Sequence, residues 1–236
     1  MKEQIKISCK KNKDLVLKVT PGHFSSDRFH VNYYIDMSTL KMRQKEAKLV
    51  AKTMAENYIQ KVDITSSRIN DFMGMSSLAE QGAIQTPIDT IICMDGCEVI
   101  GAYLADEFTN NNFPTNTKHN SFYVITPEFD NTGQMVVRNN IKPMIKGRNV
   151  LVVLASAMSG RTITKAIGTI LAYGGKIAGL SVIFANVDEI DGYRVNGVFT
   201  HEDLPNFKLT DPNNCEDCKA GVKLDAVVNS YGYEEL

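Results

Sequence analysis

The stretch Asn149-Val150-Leu151-Val152-Val153-Leu154-Ala155-Ser156-Ala157-Met158-Ser159-Gly160-Arg161-Thr162 is a continuous apolar run that breaks into small and hydroxylated residues. An amphipathic segment follows at once, with Ile163, Ala166, Ile167, Ile170 and Leu171 at helical spacing and Gly174-Gly175 as a C-terminal stop. The reading is a buried strand, a tight loop and a helix. Such a junction turns several backbone N–H groups and a helix N-terminus toward one spot, which suits a phosphate. The competing reading is a plain connection, since small and hydroxylated residues are common in tight turns.

The rest of the chain supplies the other parts of an α/β protein. Lys176 to Ala185 is a second β-rich run, so strand, helix and strand form a right-handed crossover in a parallel sheet. Pro87 to Met94 reads as another buried strand, Asp95-Gly96 as its turn and Glu98 to Phe108 as a helix. Ala47, Val50, Ala51, Met54, Ala55, Tyr58 and Ile59 predict a helix from Thr39 to about Val62. Residues 63–87 read as loops with room for a short helix, and Asp130 to Gly133 lies in an exposed hairpin or a mobile loop within 126–146. Near the start, Ile5, Ile7, Leu15, Leu17 and Val19 alternate as in strands with one wet face, and Pro21-Gly22 punctuates the chain. The expected organisation is an N-terminal lobe over 1–38, a core over 39–200 and an irregular tail over 201–236 packed in the same unit.

Charge argues against some partners. Lys and Arg number 26 against 27 Asp and Glu, so no global field favours nucleic acid or an anionic membrane. No apolar run is long enough to span a bilayer, the start is too charged for a secretory signal, and the expected location is the cytoplasm. Five scattered cysteines fit reduced thiols, with Cys93 in the core.

The spacing Ala155-x-x-x-x-Gly160-Arg161-Thr162 imitates a phosphate-binding Walker loop, with Ala for its first Gly and Arg for its Lys. An NTPase or kinase on this loop stays open as a weaker alternative, because Arg has the wrong shape for the wrapped lysine. The fuller match is elsewhere. Val150 to Val153 and the loop Met158 to Thr162 resemble the strand and phosphate loop of type I phosphoribosyltransferases, closest to orotate phosphoribosyltransferase. Pro21 to Phe24 and Tyr33 to Asp36 resemble that family's base-covering hood, and Asp89 to Gly101 its pyrophosphate-facing strand and loop. Cys215-Glu216-Asp217-Cys218-Lys219-Ala220-Gly221 resembles the Cys-rich tail of longer members.

The resemblance implies a twisted, mainly parallel sheet flanked by helices, a small hood, a homodimer, and a nucleotide or phosphoribosyl ligand. It implies phosphate binding at Ala157, Met158, Ser159, Gly160, Arg161 and Thr162, and a pyrophosphate loop at Met94, Asp95, Gly96 and Cys97. It places Tyr33 and Tyr34 on the base side, with at most one of them stacking, because neighbours in a strand face opposite ways. Mg²⁺ would accompany phosphoribosyl pyrophosphate.

The chain departs from the family where the reaction is carried out. Leu154 and Ala155 stand where the family has the acidic pair that holds the ribose hydroxyls. The segment matching the mobile basic loop, Val124 to Asp130, carries acids, with Arg138 and Lys142 downstream as the available cations. Asp95 and Glu98 are the remaining candidates for catalysis. Losing a preorganised charge at a leaving group costs on the order of 100- to 1000-fold in rate. The expectation is therefore a ligand-binding or regulatory protein with weak or no transferase activity, against an active phosphoribosyltransferase using replacement residues. Zinc is disfavoured, because Cys215 and Cys218 supply half of a tetrahedral site, with His201 the nearest third ligand. His23, His30 and His119 read as surface or hydrogen-bonded side chains.

Overall fold

A computed structural model describes residues 3–26, 28–59 and 86–236. In chain order the elements begin with β1 (Ile5–Ser8), β2 (Val16–Ser25), β3 (His30–Asp36), α1 (Ser38–Met42) and α2 (Gln44–Ala55). The central part holds β4 (Thr90–Cys93), α3 (Glu98–Asn110), β5 (Tyr123–Ile125), β6 (Glu128–Phe129), β7 (Met135–Val136), β8 (Asn149–Ala157) and α4 (Arg161–Ala172). The last part holds β9 (Lys176–Ala185), β10 (Glu189–Ile190), β11 (Tyr193–Thr200), β12 (Leu209–Thr210), α5 (Glu216–Lys219), β13 (Ala226–Val228) and β14 (Tyr233–Glu235). Among the described residues, no helix is long and apolar enough to cross a membrane.

The core sheet runs β10-β11-β9-β8-β4-β5, parallel throughout except for β10 at its edge. Its central strands are apolar on both sides because both faces are covered, as parallel sheets require. Along β8, Val150, Val152 and Leu154 pack with Ile163, Ala166, Ile167 and Ile170 of α4. The alternate residues Leu151, Val153 and Ala155 face the other core, beside Val50 and Met54 of α2 and Ile100 and Leu104 of α3. The helix α4 stops where its sequence says it should, with Gly174 at φ +77 just past the C-cap Tyr173 and the Gly175 N–H donating to the Ile170 carbonyl.

Three sequence expectations change. The helix foreseen over 39–62 is broken at Arg43, which is extended, and residues 60–62 lie outside the described residues, as does nearly all of 63–87. On one straight helix Lys41 and Val50 would occupy roughly opposite faces. The break lets both be buried, Val50 in the core and Lys41 toward the loop after β4. Second, Pro21-Gly22 does not end the strand: β2 continues through it, with an irregularity in the β2–β3 pairing between Pro21 and Phe24.

Third, the C-terminal tail is irregular over most of its length yet carries three short strands. Its strands complete a second sheet, β12-β3-β2-β13-β14 with β1 on β2, so the hood is built from both ends of the chain. There β12 pairs with His30 and Val31 of β3, and β13 runs parallel to β2 at Phe24 and Ser25. Phe24, Val31, Tyr34, Ala226 and Val228 form its small core.

Candidate functional site

The chain leaves β4 for β5 on one side of the sheet and leaves β8 for β9 on the other, so the strand order reverses between β4 and β8. In open α/β sheets a ligand crevice forms at the carboxyl ends of strands at such a switch point. A cavity of about 500 Å³ opens there, between the loops after β4 and β8 on one side and the hood on the other.

The loop after β8 is Met158-Ser159-Gly160, because β8 continues to Ala157 and α4 begins at Arg161. Gly160 is the N-cap of α4 at φ +77, and a Cβ there would sit 2.9 Å from Cγ1 of Ile190. Glycine is thus demanded by backbone conformation and by Ile190, not by ligand approach alone. Among the described residues, none of the backbone N–H groups from Met158 to Ile163 donates to a protein acceptor. Ala157 through Thr162, all foreseen as the phosphate segment, line the cavity. Arg28, Arg161 and Lys165 add cations around it, with the Arg161 guanidinium 5.8 Å from the Phe29 ring centroid. Lys165 donates to the carbonyls of Thr132 and Gly133 at 3.2 and 3.4 Å, which ties the tip of the β6–β7 hairpin to the cavity mouth.

Leu154 and Ala155 are fully buried within β8, one in each core. Ser156 is the first residue of the strand to reach the cavity. A carboxylate at either place would be taken into apolar surroundings.

Of the four residues foreseen in the loop after β4, Asp95 alone lines the cavity. Asp95 and Gly96 are both left-handed, at φ 57 and 77, while Met94 and Cys97 turn back into the two cores. Burial holds the Asp95 carboxyl above the usual carboxylate range, against the pull of Lys41. Burial also pushes the Cys97 thiol well up and the Cys93 thiol to about 12, so neither is an available nucleophile. Glu98 is exposed in the first turn of α3, accepts from the Thr126 hydroxyl at 3.3 Å, and lies outside the cavity lining.

Other cations turn away. Arg138 donates twice to Glu128, at 2.9 and 2.6 Å, and Lys142 sits 5.4 Å from the Tyr173 ring centroid. Tyr33 and Tyr34 both line the cavity from opposite faces of β3. Tyr34 packs into the hood core against Phe24 and Tyr233, and burial pushes its hydroxyl up to about 12. Tyr33 packs toward the main core.

Sequence reasoning missed Lys41. Its side chain is 1% exposed, and its ammonium donates to the carbonyls of Asp95 at 2.9 Å and Ser230 at 2.6 Å. One buried cation thereby joins the loop after β4 to the C-terminal segment, whose Ser230 and Tyr231 also line the cavity. Its position next to Leu40 was the only signal, and a lysine beside an apolar residue ordinarily marks the edge of a helix face. Asn229 to Tyr231 carried no signal, because nothing local says that the tail folds back.

A magnesium ion asks for near-octahedral oxygen ligands, usually one or two protein carboxylates with waters and phosphates. Here Asp95 is the one carboxylate among the described lining residues, and burial favours its neutral form. That donor set does not fit a protein-held magnesium, and any such ion would be carried by the ligand's own phosphates. The cysteine pair is also placed differently from expectation: Cys215 and Cys218 meet His23 and His30, both buried, whereas His201 is exposed at the end of β11.

No protein-family model matches the sequence, and no curated protein matches it. Many of the solved structures similar to it are type I phosphoribosyltransferases, mostly orotate phosphoribosyltransferases. The orotate phosphoribosyltransferase of Mycobacterium tuberculosis H37Rv, in complex with 5-phospho-alpha-D-ribosyl 1-diphosphate, is 13% identical with a TM-score of 0.46, over 72% of this chain and 82% of that one. A phosphoribosyltransferase from Corynebacterium diphtheriae is 11% identical with a TM-score of 0.48, over 78% and 90%. UMP synthase of Leishmania donovani is 17% identical with a TM-score of 0.49, over 86% of this chain and 36% of that one.

Proposed function

We propose that the protein binds the 5′-phosphate of a phosphoribosyl compound or nucleotide at Ala157 to Thr162, with weak or no phosphoribosyl transfer. The observation that carries this reading is the run of N–H groups from Met158 to Ile163 that have no acceptor among the described residues, at the N-terminus of α4 beside a cavity edged by Arg28, Arg161 and Lys165. Backbone donors at a helix N-terminus with adjacent guanidinium groups suit a phosphate dianion. The sugar and base would extend toward the hood, between Tyr33 or Tyr34 and Tyr231.

Chemistry is the weaker half. Transfer from phosphoribosyl pyrophosphate builds negative charge on the leaving group, and stabilising it takes a metal or a cluster of cations. The loop after β4 presents a buried carboxyl there, and its nearest cation, Lys41, is engaged with two carbonyls. Asp95 is nonetheless the one acid among the described lining residues, which keeps an active transferase as the second reading.

Calorimetric titration with ribose 5-phosphate and with nucleoside monophosphates tests the binding claim. Arg161→Ala removes a charge-assisted bond of about 1.5–3 kcal/mol, so affinity should fall by about 10-fold or more. Unchanged affinity would remove Arg161 from the site, and no binding to the parent protein would sink the proposal. Release of pyrophosphate from phosphoribosyl pyrophosphate with orotate or other bases and Mg²⁺ should be negligible. Sustained release would establish the transferase reading instead, and ATP hydrolysis lost in Arg161→Ala would establish the NTPase reading.

A further inference from the structure

In the hood, away from the cavity lining, four side chains from three elements converge. His23 stands in the irregular part of β2, His30 opens β3, Cys215 caps α5 and Cys218 lies within it. One ligand atom from each lies within 4.8 Å of all the others. The separate distances are 3.1 Å between His23 Nε2 and His30 Nδ1, 3.3 Å from Cys215 Sγ to His23 Nε2, 3.3 Å from Cys218 Sγ to His30 Nδ1 and 3.7 Å from Cys218 Sγ to His23 Nε2.

Hydrogen bonding alone does not account for this packing. His23 Nδ1 lies 3.1 Å from the Val222 carbonyl, which can only accept, so Nδ1 carries a proton and in the neutral ring Nε2 presents a lone pair. That lone pair faces another imidazole nitrogen and two sulfurs at once, and at most one of them can donate to it. A shared cation satisfies all four. With zinc bonds of about 2.0–2.1 Å to nitrogen and about 2.3 Å to sulfur, a tetrahedral site has edges of about 3.3 Å between nitrogens and about 3.6 Å between nitrogen and sulfur. The observed separations agree to within a few tenths of an ångström, and the Val222 carbonyl supplies the outer contact that orients a metal-bound histidine. Two thiolates and two neutral imidazoles neutralise a divalent ion and leave it no open position, so the site is structural.

We infer that His23, His30, Cys215 and Cys218 bind one zinc ion that fastens the C-terminal segment to the hood. The effect would reach the cavity, because the chain from Cys218 runs through Val222, which holds His23, and through β13 to Ser230, which holds Lys41. It also explains how a short outer helix, α5, is kept in place without a large apolar face. The inference stands apart from the phosphate reading, since none of the four ligands lines the cavity.

Elemental analysis of the purified full-length protein should find about one zinc per chain, unchanged in His201→Ala and lost in Cys218→Ser and His30→Ala. Replacement of the zinc by cobalt(II) in the parent protein gives a readout that needs no variant. The visible spectrum should carry the intense bands of tetrahedral cobalt together with thiolate-to-cobalt charge transfer. Protein that holds no stoichiometric metal and binds cobalt without those bands, or a Cys215–Cys218 disulfide found by mass spectrometry of the native protein, would overturn the inference.

Discussion

Gly160→Ala is the most informative single substitution, because two separate costs meet at that residue. Alanine at φ +77 carries about 1–2 kcal/mol of backbone strain. Its Cβ would lie 2.9 Å from Cγ1 and 3.0 Å from Cδ1 of Ile190, a core residue 7% exposed with little room to move. Overpacking of that kind costs about 1–3 kcal/mol, while the stiffer unfolded chain returns about 0.4–1 kcal/mol. The net loss is about 1–5 kcal/mol, and for a chain of this size each kcal/mol lowers the melting temperature by about 2–4 °C. Gly168 is the matched control in the same helix: it has open space around it, and alanine there should gain about 0.5–1 kcal/mol. Thermal melts of both variants check the sign of each, and a double-mutant cycle with Ile190→Ala should return the packing part as a coupling of about 1–3 kcal/mol. A Gly160→Ala protein that melts with or above the parent would refute the loop geometry. If stability falls as described while affinity for ribose 5-phosphate holds, the geometry survives and the ligand assignment does not.

Two further substitutions bear on the other wall of the cavity. Lys41→Met keeps the volume but leaves the Asp95 and Ser230 carbonyls without their donor, so chemical denaturation should show a loss of about 2–3 kcal/mol. Asp95→Asn should stabilise the protein at neutral pH. The folded carboxyl titrates above its unfolded value, so the folded state binds the proton more tightly and the parent loses stability as pH rises through the folded pKa. The difference between variant and parent should shrink toward zero as pH falls below about 4, near the unfolded carboxyl's value. Asparagine tolerates the left-handed backbone at this position, so strain does not confuse the comparison.

What the sequence made legible follows the range over which its signals act. The β8–loop–α4 unit was readable because both elements are local: a run of apolar residues, a glycine at the turn, and a helical face from Ile163 to Ile170 that packs on the residues just before it. Leu154 and Ala155 were readable as apolar positions of the run, and the fold shows that each serves one of the two cores. The hood was only half readable. Its N-terminal strands alternate visibly, but β12, β13 and β14 are three residues or fewer: β12 and β13 owe their existence to strands more than 170 positions earlier, and β14 pairs with β13. The same distance hid the cluster around His23. A CxxC pair is a local signal for half a site, whereas its other half, His23 and His30, becomes visible only when β2 and β3 are paired and α5 is laid beside them. Sequence proximity pointed to His201, which lies outside this cluster, because the sheet's register and not the chain's order brings the four side chains together. Lys41 belongs with these cases: its partners lie 54 and 189 residues away, and it is the contact through which the three distant parts of the chain close one cavity.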